Sequence, residues 1–264
     1  MKISGELAIT NYQLKERSKK IMNSQTIEKM KAMRLHGMAR AMASAIDMGI
    51  KDITPDQFIS HLVDAEWDDR YNRRLERLIK AAKFRYRASI EEIDFNLARN
   101  LDKNMLLRFS DCSFIKDKKN IIITGPTGVG KSFILSALGN QACIYGYVTL
   151  YFNTQKLFSS LKLAKADGTY INQVGKIEKA RLLLLDDFGL AKLDTASRLS
   201  LLEILEDRHG LSSTVITSQF PVSAWHEIIG DPTIGDAICD RMVNSSYRIE
   251  LKGESVRKKF KRLD

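Results

Sequence analysis

Cysteine and histidine are scarce: Cys112, Cys143 and Cys239, with His36, His61, His209 and His226, lie scattered through 264 residues without paired spacing. That pattern speaks against a disulfide framework or a zinc site and predicts reduced thiols in a cytosolic core. Long apolar runs are missing too. No stretch approaches the roughly 18 consecutive apolar residues of a membrane span. The first residues, with Lys2, Glu6, Lys15 and Glu16 around short apolar patches, lack a secretory apolar core. The expected location is therefore the cytoplasm, with no membrane partner. Internal repeats, low-complexity linkers and base-reading motifs are also absent.

What is present is an ordinary globular balance, 44% hydrophobic and 28% charged, carrying a formal charge of +10. A nucleotide needs no such excess, so a polyanionic partner is expected, with DNA or RNA ahead of an anionic membrane surface.

Up to about residue 110 the chain reads helical. Ile27, Met30, Arg34, Met38, Met42 and Ala45 follow the three-to-four spacing of one helix face, interrupted only by Arg34 and stopped by Gly49. Thr54-Pro55-Asp56-Gln57 is a helix start with a capping box, and Ser89 with Glu92 marks another. Beyond residue 110, short β runs alternate with helices. Strands are expected at Ile121 to Ile123, Tyr147 to Tyr151, Leu182 to Leu185, Thr214 to Thr217 and Tyr247 to Leu251. This alternation predicts an α/β fold, a parallel sheet of about five strands with helices on both faces, preceded by a small all-helical domain. The expected division is 1–110 helical, 111–252 nucleotide-binding and 253–264 a basic tail.

Gly125-Pro126-Thr127-Gly128-Val129-Gly130-Lys131-Ser132 fits the phosphate loop G-x-x-x-x-G-K-S/T in full. Glycines let the backbone N–H groups wrap a phosphate, and the next helix adds its positive end. Lys131 supplies charge to the β and γ phosphates of ATP, and Ser132 a hydroxyl ligand to Mg²⁺. The match is specific: about one random chain of this length in a hundred would carry it. Leu182 to Leu185, followed by Asp186 and Asp187, places acid at a sheet's carboxyl edge, where open α/β sheets bind ligands. Asp186 is assigned to Mg²⁺, directly or through water, and Asp187 to the attacking water. Thr214 to Thr217 is a strand followed by Ser218 and Gln219. In P-loop ATPases with an inserted central strand, a polar group here contacts the γ-phosphate or the water, and Gln219 is chosen over Thr217 and Ser218. Arg241, between a helix and the last strand, is placed where an arginine finger reaches a neighbouring subunit's nucleotide.

Together these residues resemble the AAA+ ATPases, in the branch of IstB-type transposition helpers and DnaC-type helicase loaders. Asp186-Asp187-Phe188-Gly189 is similar to that branch's acidic motif. Ile216-Thr217-Ser218-Gln219, Asp236-Ala237-Ile238 with Asp240-Arg241, and Arg248 to Ser255 resemble IstB specifically, as does the stretch from Lys31 to Ala39. The resemblance spans residues 25 to 260. It implies a DNA-binding ATPase partnered with the transposase of the same insertion sequence, self-associating as a ring or helical oligomer. It gives Arg241 the finger role and likens Arg257 to the sensor-II arginine. No helical lid, the usual carrier of sensor II, is expected after the fifth strand. A helicase loader is the alternative function, and a small-molecule kinase, which leaves the basic excess unexplained, a third.

Residues 70–87 carry Arg70, Arg73, Arg74, Arg77, Lys80, Lys83, Arg85 and Arg87 against Glu76 alone, with Phe84 and Tyr86 interleaved. This is a footprint suited to the phosphates of double-stranded DNA, read without strong sequence preference.

Overall fold

Ile121, Ile122 and Ile123 lie fully buried in a five-stranded parallel sheet in a computed structural model that describes residues 21–49, 53–97, 99–244 and 246–256. The strands are β1 (Asn120–Thr124), β2 (Thr149–Asn153), β3 (Leu182–Phe188), β4 (Ser213–Ser218) and β5 (Ser246–Glu250), in the order β2-β3-β4-β1-β5. β4 is thus inserted between the strand that precedes the phosphate loop and the strand that ends in acid. Both faces of the sheet are covered, which is why its central strands read as continuous apolar runs. Ile121, Ile123, Leu182 and Leu184 enter one core; Ile122, Leu183 and Leu185 enter the other.

Helix α6 (Lys131–Ile144) fills the first face, and residues 84–115, with the short helix α4 (Lys103–Arg108) and the start of α5 (Ser113–Lys116), pack beside it. The other face takes α7 (Thr154–Asp167), α8 (Tyr170–Lys179), α9 (Thr195–Arg208), α10 (Trp225–Ile229) and α11 (Pro232–Val243). Arg208, at the end of α9, is fully buried. It donates to the carbonyls of Ile177, Ala180 and Ser213 and to Thr214 Oγ1, closing off backbone acceptors near the starts of β3 and β4. Burial lowers its pKa to about 10.

By contacts the chain divides between Arg74 and Leu75. Ala88, Ile90, Ile93, Leu106 and Phe109 belong to the core of the sheet, so residues 75–110 pack with the nucleotide-binding unit. The change of composition near residue 110 marks the approach of the first strand.

The first unit contains α1 (residues 21–32), α2 (His36–Met48) and most of α3 (Pro55–Ala82). The single helix expected across Arg34 is broken there, with Arg34 at φ +62°. Leu35, the N-cap of α2, offers no side-chain cap. Glu66 of α3 does that work, accepting from the N–H groups of Gly37 (2.8 Å) and Met38 (3.3 Å). Only glycine allows this approach, because a Cβ at residue 37 would stand 2.2 Å from the Ala65 carbonyl oxygen. The expected capping box opens α3: Thr54 N donates to Gln57 Oε1 and Gln57 N to Thr54 Oγ1, at 3.1 and 3.4 Å. Ser89 and Glu92 make the corresponding bond (2.9 Å), yet they close a turn and start no helix.

Candidate nucleotide site

The loop after β1 turns on glycines with positive φ: Gly125 at +145°, Gly128 at +87° and Gly130 at +99°. A Cβ at Gly125 would meet the Leu251 carbonyl oxygen at 2.4 Å, and one at Gly128 would meet Ser255 Oγ at 2.1 Å. The segment after β5 therefore lies directly on the loop, with Leu251 N donating to Thr124 O and Val256 N to Gly128 O. Val129 points into the core while Gly130 caps α6, aiming the helix N-terminus at the loop's concavity. Lys131 Nζ folds back to donate to the carbonyls of Gly125 (2.6 Å) and Pro126 (2.8 Å).

At the end of β3 the pairing with β4 shifts register between Leu185 and Phe188. This bulge re-aims the two acids. Asp186 is fully buried. Its Oδ1 accepts from Ser132 Oγ (2.9 Å) and Thr217 Oγ1, and its Oδ2 from the Tyr151 hydroxyl (2.6 Å). Asp187 sits at φ +60°, held there by its N–H donating to Thr217 Oγ1 (3.0 Å), and it faces a cavity. Burial, and then the bond given to Asp186, push the Tyr151 hydroxyl pKa upward, so it stays a donor.

That cavity, about 430 Å³, is lined by Thr127, Lys131, Ser132, Asp187 and Gln219, and on its apolar side by Tyr86, Ile93, Leu97 and Phe133. Its size falls in the usual range for a small-molecule site. Among the three sensor candidates, Thr217 serves the acids and Ser218 donates to the Phe188 carbonyl (2.9 Å). Gln219 is the one that lines the cavity, its Oε1 accepting from Thr127 Oγ1 at 2.7 Å.

The structure does not bring Arg241 to this cavity. Arg241 pairs with Glu206 and Asp240, and its carbonyl accepts from Asn120 Nδ2 (3.1 Å) at the start of β1. It therefore lies at the opposite end of β1 from the loop, roughly 13 Å away by strand rise. Arg257 and the basic tail lie outside the described residues.

The row of cations at 70–87 divides. Arg70 and Arg73 hold the buried acids of the first unit, Arg70 to Glu66 (2.7 Å) and Arg73 to Asp69 (2.6 Å). Arg85, expected among the DNA-binding cations, instead points Nη1 at Asp187 (3.0 Å) and Asp186 (3.4 Å). Phe84 and Tyr86 pack on the sheet core, Tyr86 with its ring 6.3 Å from that of Phe133. Arg74, Arg77, Lys80, Lys83 and Arg87 are exposed.

Sequence reasoning missed Tyr151, Asn153 and Arg99, and did not place Arg85 at this site. Tyr151 and Asn153 end β2, where Asn153 registers with Asp186 and donates to Asp187 (3.2 Å). Polar residues at the end of the strand beside the acidic one were the available signal. Arg99 is buried and donates to Val129 O (3.2 Å) and Asp94 O (2.7 Å), tying the loop to the segment before β1. No local pattern announced it.

Comparison with known proteins agrees with this geometry. The model of the family described as IstB-like ATP binding protein matches residues 28–264. An insertion-sequence ATP-binding protein of Sinorhizobium fredii is 42% identical over 90% of this chain and 97% of its own length. One from insertion sequence IS1162 of Pseudomonas fluorescens is 38% identical over 77% and 89%. Among solved structures, the DnaC helicase loader shares the fold at TM-score 0.54, with 21% identity over 65% of this chain and 100% of that one. DnaA from Aquifex aeolicus, bound to AMPPCP, does so at 0.53, with 16% identity over 69% and 56%. Among the described residues, no helix is long and apolar enough to cross a membrane. The chain belongs to the family of IstB-like ATP-binding proteins of insertion sequences.

Proposed function

We propose that the chain is an ATP-hydrolysing transposition helper, which assembles on duplex DNA and recruits or stimulates the transposase of its insertion sequence. Hydrolysis regulates the assembly. The observation that carries this reading is the meeting of Lys131, Ser132, Asp187 and Gln219 at one cavity, with Asp186 behind them. Gly125 to Ser132 cradle the phosphates of ATP through backbone N–H groups, and Lys131 leaves its loop carbonyls for them. Ser132 and Asp186 present hard oxygen donors within hydrogen-bond distance of each other, a set suited to Mg²⁺, which shields phosphate charge when bound. Asp187 orients or deprotonates the attacking water, and Gln219 contacts the γ-phosphate or that water. Arg241 acts on the nucleotide of a neighbouring subunit, which its distance from its own loop supports. Arg257 takes the sensor-II role.

Self-association as a ring or helical oligomer is part of the proposal, because a finger in trans needs a neighbour. The segment up to residue 110 serves DNA and partner binding. Duplex phosphates are taken by the cations of residues 70–87, of which Arg74, Arg77, Lys80, Lys83 and Arg87 are exposed.

The test is to measure ATPase rate and particle size with and without duplex DNA, and capture of transposase against capture of replicative helicase. Duplex DNA should raise the rate, ATP should enlarge the assembly, and the transposase should be captured. Each neutralised phosphate adds about −0.9 to the slope of log affinity against log salt, so replacing Arg77, Lys80 and Lys83 with alanine should flatten it by up to about three units. A rate indifferent to DNA, with helicase captured instead, overturns the reading.

A further inference from the structure

Arg85 follows closely on the end of α3, which Lys83 terminates at φ +56°. Its guanidinium lies over Tyr86, 5.5 Å from the ring centre, and lines the same cavity as Lys131, Ser132 and Gln219. Three features set it apart from a structural ion pair. The acids do not need it. Asp186 already accepts from three hydroxyls, Ser132, Thr217 and Tyr151, and Asp187 from Asn153. A departing Arg85 therefore leaves no buried carboxylate without a partner, and the orphaning penalty that locks most buried pairs does not arise. Its donors are also mostly unspent. Among the described residues Nη1 alone makes its hydrogen bonds, whereas a guanidinium carries five N–H groups. And its side chain is 39% exposed, so it can move toward the cavity. A nucleoside triphosphate held by the loop directs its γ-phosphate toward the space between Lys131 and Asp187, which this guanidinium borders.

We propose that Arg85 is a further nucleotide-binding residue, exchanging Asp187 for the γ-phosphate and so distinguishing ATP from ADP. This deepens the ATP-site reading and rests on it. A dianionic phosphate group offers several acceptor oxygens to a planar donor fork, against one shared carboxylate oxygen on each acid. ADP offers no γ-phosphate, and with it Arg85 stays on the acids.

The experiment uses the full chain with Mg²⁺ and compares fluorescent β,γ-methylene ATP with fluorescent ADP in equilibrium titrations. Arg85→Ala should weaken the ATP analogue by about tenfold, the scale of one charge-assisted contact. ADP binding should be unchanged, and Arg85→Lys should recover part of the loss. Equal weakening of both ligands, an unchanged analogue affinity or a tighter one overturns the proposal. A second variant leaves Arg85 in place: Asp187→Asn removes the charge that holds it and should raise the preference for the analogue over ADP. An unchanged preference there counts equally against the exchange. Failure of the unaltered chain to bind ADP overturns the nucleotide site itself, a result distinct from loss of discrimination alone.

Discussion

In the helical unit Glu66 accepts from two N–H groups of α2 and from Arg70, with Arg73 nearby; in the sheet unit Asp186 accepts from hydroxyls on α6, β4 and β2. Both carboxylates are buried, at 6% and 0% exposure. The first set is closed. Removing Glu66 strands a helix start and leaves its arginine partners short of an acid. The second set is redundant and stands beside a cavity, where surplus hydrogen bonds hold a charged group in place for use. The same carboxylate group thus ties two helices together in one region and stands beside a cavity in the other. The arginines divide likewise: Arg70 and Arg73 complete the buried set, while Arg85 meets the acids beside the cavity and Arg241 pairs with the exposed Glu206.

This contrast can be broken from either side. The largest expected effect is on rate: Arg241→Ala should lower ATP hydrolysis by about a thousandfold, the scale of an arginine finger. Nucleotide affinity and melting temperature should hold. Mixing it with Lys131→Ala subunits should restore activity at interfaces that pair an intact loop with an intact finger, and a mixture as inactive as its parts would place Arg241 in a structural role. Next comes Glu66→Ala, which should cost about 3 kcal/mol of stability in chemical denaturation while leaving nucleotide affinity alone. Lys131→Ala should do the reverse, weakening ATP binding by about 1.5–3 kcal/mol in fluorescence titrations with little change in melting.

The smallest effect concerns pH. Burial opposes ionisation of Glu66, but the bond from Arg70 and the Met38 and Gly37 N–H groups outweigh it and hold the pKa below the ordinary glutamate value. A lowered folded pKa means the stabilisation is complete above the ordinary value and is lost as pH falls through the folded one. Melting temperature should therefore decline on acidification through that window, and Glu66→Gln should flatten the decline.

Much of the fold was legible because β1, β3 and β4 are buried on both faces and read as apolar runs such as Ile121 to Ile123 and Leu182 to Leu185. The phosphate loop was legible because its chemistry is contiguous. β2 was read two residues early, at Tyr147 to Tyr151, since its bounds are set by pairing Thr149 with Leu182 and local pattern does not contain a partner's register. Tyr147 N instead closes the end of α6 by donating to Ala142 O. The break at Arg34 was hidden for a similar reason, as Glu66, about thirty residues away, caps the second helix. The contact of Arg85 with Asp187 was hidden because charge density along the chain says nothing of a carboxylate a hundred positions on.

Asp187 holds a left-handed backbone with a side chain that favours it less than glycine does. Asp187→Gly would relax that backbone and remove an acid from the cavity, so it should fold at least as well as the original. A library selected for thermal resistance alone will therefore enrich this replacement, while a library selected for transposition will purge it. The position separates the two selections, and sequencing both pools at residue 187 would report how much durability the chain forgoes to keep an acid facing the cavity.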